Sequence, residues 1–158
     1  MTFSDELAAM FRRDLTRVVE ELQAFPDEEL LWQVVPGVSN SAGNLTLHLE
    51  GNLREFIGRQ LGGVAYQRIR PAEFSTIGMA RAEMIQRIEE VRELVARIVA
   101  GLRAEDLAAQ FPEQAVKASL SSRQYLMHLY GHLSYHLGQI DYLRRVLTGG
   151  TAIDFAGL

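Results

Sequence analysis

Residues 127–139 read MHLYGHLSYHLGQ, and this segment holds three of the four histidines of the 158-residue chain. His132 and His136 are four residues apart, so on an α-helix they lie one above the other on the same face. Two imidazoles at this spacing can reach one metal ion. His48, the fourth histidine, lies far upstream in a separate amphipathic segment. The pattern therefore predicts two helices that converge on a site which neither completes alone.

The apolar arc of the helix around this segment indicates which histidines face inward. At about 100° per residue, the arc is centred near Leu133 and Ile140. His136 falls inside its edge and His132 lies next to it, which combines an inward direction with an open coordination position. The alternative is that the two are ordinary, partly buried histidines. Three side chains further from the arc are candidates to orient a bound water or substrate, or to form a polar rim: Gln139, His128 and Tyr135.

Two more helices are predicted in the first third of the chain. Apolar residues at steps of three and four predict a helix over Ser4–Ala24. A short helical turn is expected at Pro26, and Pro36–Ser41 is typical of a loop that ends in helix-capping residues. The second helix is predicted over Ser41–Leu61. His48 falls on the edge of its apolar arc, so we expect this histidine to face a cleft or a helix seam.

The remainder of the chain predicts two helices and two long connections. The helical pattern stops over Gly62–Pro71, which indicates a connection of about 15 residues. Loops of this length are often functional, so residues 62–76 are candidates to line a pocket. A third helical stripe covers Met84–Leu102, and a fourth helix, capped by Ser121 or Ser122, is expected to reach Thr148. The predicted fold is all-α, an up-down four-helix bundle with long connections after helices two and three.

Length and composition limit the classes of function. A chain of 158 residues suits one domain, and we expect a single helical domain over residues 1–158. A net charge of −4 offers no basic surface for nucleic acid, and no apolar run approaches the roughly 18 residues that span a bilayer. The first residues lack a cationic segment before an apolar one, so a cytoplasmic protein without membrane attachment is expected. Since the chain has no cysteine, any metal must be bound by imidazole, carboxylate, carbonyl or water.

Two segments resemble the DinB/YfiT family of proposed metalloenzymes. Residues 132–140, HLSYHLGQI, are similar to the last core helix of that family, and residues 41–49, SAGNLTLHL, to its second helix. The resemblance covers nearly the whole chain in the order and spacing of its helices. It implies a homodimer, and a divalent metal ion, zinc or nickel, that is bound by His48, His132 and His136 and completed by water. Many members have histidine and arginine where this chain has Tyr135 and Leu137, so a role of these positions in binding an anionic substrate does not carry over.

Several functions fit a three-histidine site. Three neutral imidazoles leave a divalent ion nearly its full charge, so the ion can acidify a bound water or bind a thiolate. Relatives of this fold include thiol-dependent S-transferases and isomerases, and the resemblance therefore implies a transferase that uses a low-molecular-weight thiol and a small-molecule substrate. A metal-dependent hydrolase is the alternative, with Glu50, Glu55 or Asp141 as general base. Two hypotheses without catalysis also stay open: a metal-binding stress protein whose site is closed by a ligand such as His128, and a metal-free helical interaction module.

Overall fold

A computed structural model describes residues 1–113 and 119–154 of the chain. Over these residues the protein is all-α and contains no β-strand, as predicted. None of the helices in the described ranges is long and apolar enough to cross a membrane. The helical elements are α1 (Phe3–Gln23), a 3₁₀ turn (Glu28–Trp32), α2 (Ala42–Leu53) with a π-helical continuation (Arg54–Arg59), α3 (Arg70–Ser75), α4 (Arg81–Ala100), α5 (Ala104–Ala108) and α6 (Ser122–Thr148).

The helix ends follow from local capping chemistry. Ser41 Oγ accepts a hydrogen bond from the Asn44 backbone N–H at 3.1 Å and so caps α2. Ser121, and not Ser122, caps α6, where its side chain and that of Gln124 form a capping box. Gly149 ends α6 in a left-handed conformation, with a φ of 69° that favours glycine. These bounds agree closely with those predicted for the second and fourth helices.

The four long helices form a ring in which α1 and α2 lie diagonally across from each other. Both of them pack against α4 and α6. Helices α1 and α6 run parallel, because Asp14 contacts Ser134 near their middle and Glu21 contacts Arg144 further on. Helix α2 and its continuation run opposite to α6, since His48 contacts His132 whereas Phe56, further along, contacts the earlier Tyr125. The two histidine-bearing helices are therefore neighbours in the bundle.

The direction of α4 departs from simple up-down alternation. Glu50 lies 3.6 Å from Arg87, and one turn further along both helices Arg54 bonds Glu90 at 3.0 Å, so α2 and α4 run parallel. This direction requires the connection after α2 to return along the length of the bundle. It does so, because the backbone carbonyl of Thr76 accepts a bond from the Asn44 side chain at the start of α2. Of the second long connection, residues 114–118 lie outside the described residues.

Helix α2 is covered on every side. All twelve of its residues are buried, although only part of its surface faces the bundle core. The returning connection and α3 pack over the face that would otherwise meet solvent. Burial on all sides brings other side chains close to the α2 backbone, and small residues are needed where they approach.

Gly62, which follows the π-helical continuation of α2, packs against Ile98 of α4 and gives a first prediction. A Cβ at Gly62 would lie 2.3 Å from Ile98 Cδ1 and 2.8 Å from the Gly58 backbone oxygen. Because backbone cannot move aside as a side chain can, Gly62→Ala is expected to destabilise the protein by about 1–3 kcal/mol. Gly131→Ala is the matched control, since a Cβ there meets no atom within 4 Å and should stabilise α6 by up to about 1 kcal/mol. Urea unfolding of both variants measures the difference, and equal effects would contradict the steric explanation.

Candidate metal centre

Three histidine side chains from α2 and α6 meet at one point of the bundle. The Nε2 atom of His132 lies 3.1 Å from Nε2 of His48 and 3.1 Å from Nε2 of His136. One nitrogen from each ring lies within 4.8 Å of the other two. His48 is buried, with 7% of its surface exposed, whereas the other two rings are partly exposed. The cluster thus has a closed side on α2 and an open side on α6.

The partners of the outer ring nitrogens determine two of the three tautomers. Glu73 Oε2 lies 2.8 Å from His48 Nδ1, and Gln139 Oε1 lies 2.6 Å from His136 Nδ1. Both oxygens are acceptors, so each Nδ1 carries a hydrogen and donates it. In a neutral imidazole the nitrogen opposite Nδ1–H carries a lone pair, and in both rings this Nε2 atom points towards His132.

This arrangement fits a cation better than it fits a hydrogen-bonded cluster. If His132 carried its hydrogen on Nε2, that single N–H could donate to only one of the two facing lone pairs. If it carried the hydrogen on Nδ1, that buried atom has no hydrogen-bond partner among the described residues. Nitrogen atoms around a tetrahedral zinc ion are about 3.3 Å apart, because Zn–N distances are about 2.0–2.1 Å. The three histidines could therefore hold a metal ion.

Burial favours the neutral form of two candidate ligands, His132 and His136, and the neutral form is the one that binds metal. Loss of solvation, with the neighbouring His136 and His48 as smaller contributions, lowers the pKa of His132 to about 3. Loss of solvation also lowers the pKa of His136, against the opposing effect of its bond to Gln139. Burial opposes ionisation of Glu73, but the bonds from His48 and Arg68 outweigh it and hold the pKa of this carboxyl below its usual value. Two imidazoles of the cluster are therefore held towards the neutral form, and Glu73 towards the ionised form.

The other residues singled out by the sequence lie in different surroundings. Gln139 bonds His136, as described above. Tyr135 is 65% exposed, with its ring centroid 5.3 Å from that of His136. His128 is exposed and does not belong to the nitrogen cluster formed by the described residues. The structure therefore leaves His128 outside the group that could hold a metal ion.

The carboxylates considered as general bases are held by arginines. Glu50 bonds Arg54 at 2.9 Å, and Glu55 bonds Arg59 at 2.5 Å. Asp141 lies 3.2 Å from an arginine of its own helix. The sequence prediction did not name the carboxylate that does reach the histidines, which is Glu73. The sequence offers two indirect signals for Glu73: the length of the connection after α2, and Pro71, which is typical of the start of a short helix.

A cavity of about 420 Å³ lies beside Gln139, and none of the three histidines is among its described lining residues. Gln139, which bonds His136, also lines this cavity, and Leu45 of its wall lies one helical turn before His48. Most of the remaining wall is apolar, with Val38 and Leu143 among its members, and none of the described lining residues is charged. Gln139 is therefore the residue that links this uncharged cavity to the cluster.

The fold and the site define an all-helical protein with a three-histidine centre that could bind a metal ion. The chain matches the family model described as mycothiol-S-transferase over residues 6–149, and it belongs to that family. This membership confirms the resemblance to the DinB/YfiT group. A comparison with curated proteins finds no match.

Proposed function

We propose that the protein is a metal-dependent S-transferase, which activates a low-molecular-weight thiol at an ion held by His48, His132 and His136. The convergence of three Nε2 atoms, two of them with lone pairs fixed towards the centre, carries this proposal. Membership in the mycothiol-S-transferase family supports a thiol as one substrate. Zinc or nickel is the expected metal, and a homodimer in the cytoplasm is the expected assembly.

The residues of the chain would contribute binding and orientation. A divalent ion in this site would lower the pKa of a thiol, so that the sulfur reacts as a thiolate. The three imidazoles add no negative charge, and the Nδ1 partners Glu73 and Gln139 hold the rings of His48 and His136 in place. In the transfer, the thiol would lose its proton to solvent, its sulfur would form a bond to an electrophilic carbon of the second substrate, and the leaving group would depart with its electron pair.

Two observations favour transfer over the alternatives. Hydrolysis ordinarily needs a general base beside the metal-bound water, but Glu50, Glu55 and Asp141 are all bonded to arginines. A closed, non-catalytic site needs a fourth protein ligand, but only three residues form the cluster within the described ranges. The second observation supports a coordination position that is open to substrate. The uncharged walls of the cavity beside Gln139 support an uncharged electrophile as the second substrate.

Cobalt-substituted protein tests the proposal directly. Addition of mycothiol or another low-molecular-weight thiol is expected to produce a thiolate-to-cobalt charge-transfer band, because sulfur enters the open position. The S-methyl ether of the same thiol, which cannot form a thiolate, is the control and should give no band. With zinc-loaded protein, thioether formation from an uncharged electrophile should depend on the metal and stop when a chelator removes it. Absence of the band, or product formation that survives chelation, would refute the proposal.

A further inference from the structure

The connection between α2 and α4 brings one buried carboxylate to the histidine cluster. Glu73 lies in α3, a helix of six residues, and only 7% of its surface is exposed. Its Oε2 atom accepts a hydrogen bond from His48 Nδ1 at 2.8 Å. The other nitrogen of the His48 ring, Nε2, contacts His132. Glu73 therefore contacts the edge of the His48 ring that points away from the candidate metal position.

An arginine holds the carboxylate in this orientation. Arg68 donates from Nε to Glu73 Oε1 at 2.6 Å and from Nη2 to Oε2 at 2.9 Å. Two parallel bonds of this kind fix the plane of a carboxylate as well as its position. Arg68 Nη2 also lies 3.4 Å from His48 Nδ1, but both groups are donors and both are directed at the same oxygen. An ionised carboxylate cannot donate, so the hydrogen between His48 Nδ1 and Glu73 Oε2 belongs to Nδ1.

The backbone of α3 is fixed separately. The Asn44 side-chain amide donates to the carbonyl oxygens of Glu73 at 3.1 Å and of Thr76 at 2.9 Å. Ser41 Oγ in turn bonds Asn44 Oδ1 at 2.7 Å. Since Ser41 and Asn44 form the first turn of α2, the helix that carries His48 also holds the segment that carries Glu73. The position of the carboxylate is thereby coupled to the position of the ring.

A glycine provides the space for this carboxylate. A Cβ at Gly51, one turn after His48, would lie 2.2 Å from Glu73 Oε1 and 2.9 Å from its carboxyl carbon. Any side chain at residue 51 would therefore displace the carboxylate. Gly51 costs helix stability in the middle of α2, and the close approach of Glu73 gives a physical reason for its presence.

We propose that Glu73 is a positioning residue that fixes His48 as the Nδ1–H tautomer, and that Gly51 is required for its carboxylate to reach the ring. The lone pair of His48 Nε2 is then directed at the candidate metal position before any ion binds. The effect of Glu73 on metal affinity rests on the function proposed above. The tautomer itself is a property of the metal-free protein and can be measured without reference to metal or activity.

The test compares variants that break the same ion pair from its two ends. Long-range ¹H–¹⁵N correlation spectra of metal-free, ¹⁵N-labelled protein at mildly alkaline pH report which nitrogen of His48 carries the hydrogen. Glu73→Ala and Gly51→Ala are expected to shift His48 towards a mixture of tautomers, because the acceptor at Nδ1 is removed or displaced. Arg68→Met, which breaks the ion pair but keeps the carboxylate, should retain the Nδ1–H form. Gly131→Ala controls for a glycine-to-alanine change in a helix, since its Cβ meets open space.

Cobalt affinity provides a second measurement on the same proteins. Glu73→Ala and Gly51→Ala are expected to weaken cobalt binding by about 10–100-fold, the usual effect of losing a residue that orients a metal ligand. Unchanged Nδ1–H populations in Glu73→Ala and Gly51→Ala would overturn the proposal. An equal loss of that tautomer in Arg68→Met would also overturn it, because the ion pair would then have only a structural role. Should Glu73→Ala fail to fold, Gly51→Ala decides the question, since it retains both charges. If wild-type protein binds no metal, the proposed function fails while the tautomer result still decides the role of Glu73.

Discussion

Replacing His132 by alanine is expected to weaken metal binding by more than about 100-fold, beyond the usual range for loss of a residue that only orients a ligand. His132 is the central member of the cluster, since its Nε2 atom lies 3.1 Å from the Nε2 atoms of both other histidines. The two remaining imidazoles would leave an ion mostly hydrated. Elemental analysis of protein purified without a histidine tag, together with calorimetric titration of zinc, measures the loss.

His128→Ala is the matched control for this prediction. His128 lies on the same helix one turn earlier, but it is exposed and stands outside the nitrogen cluster. Its replacement should leave both stoichiometry and affinity unchanged. Full metal occupancy in His132→Ala, or an equal loss in His128→Ala, would contradict the assignment of His132 as a ligand. A wild-type protein that binds no metal would favour the metal-free interaction module instead.

The largest loss of stability is expected from Arg144→Met, which removes one partner of a buried ion pair between α1 and α6. Arg144 and Glu21 are each 3% exposed, and Arg144 Nε donates to Glu21 Oε2. Arg144 also donates to the Thr151 carbonyl at 2.9 Å, which ties the chain after α6 to the bundle. Loss of the arginine would leave Glu21 buried without its counter-charge, and such changes cost about 3–5 kcal/mol. Urea unfolding monitored by circular dichroism measures this free energy.

A surface pair provides the comparison for Arg144. Arg12 and Glu93 also join two helices, at 2.7 Å, but half of each side chain is exposed. Arg12→Met should therefore cost less than about 1 kcal/mol. The double variant Glu21→Leu, Arg144→Met should regain much of the stability lost by Arg144→Met, because no uncompensated charge stays buried. A loss in Arg144→Met no larger than in Arg12→Met would show that burial does not determine the strength of this pair.

Most of the helices could be predicted because their signals are local. Apolar spacing and capping residues act within a few turns of the chain, and Ser41, Ser121 and Gly149 fulfil their capping roles through contacts with near neighbours. The relative directions of His128, His132 and His136 also follow from helix geometry alone. For this reason the sequence could indicate which two of the three face the bundle. Metal binding by these histidines stays a prediction.

The environment of the histidines could not be predicted in the same way. The contact between Glu73 and His48 spans 25 residues and depends on a connection that runs back along the bundle. No periodic pattern encodes such a return, so the parallel direction of α4 and the burial of α2 on all sides were not foreseen. Gly51 shows the difficulty clearly, because a lone glycine in a helical pattern indicates only reduced helix propensity. The reason for Gly51 becomes clear only in the folded chain, where the Glu73 carboxylate occupies the space of a Cβ.

Helical periodicity, capping chemistry and histidine spacing are short-range properties, and from them this chain specifies four long helices and the faces that carry His48, His132 and His136. Which helices are neighbours, and what stands behind each imidazole, depend on contacts between residues far apart in the chain. Packing of α2 against α6 brings the three Nε2 atoms together. The returning connection then places Glu73 behind His48, because only the folded chain brings that carboxylate, Arg68 and the space above Gly51 to one position.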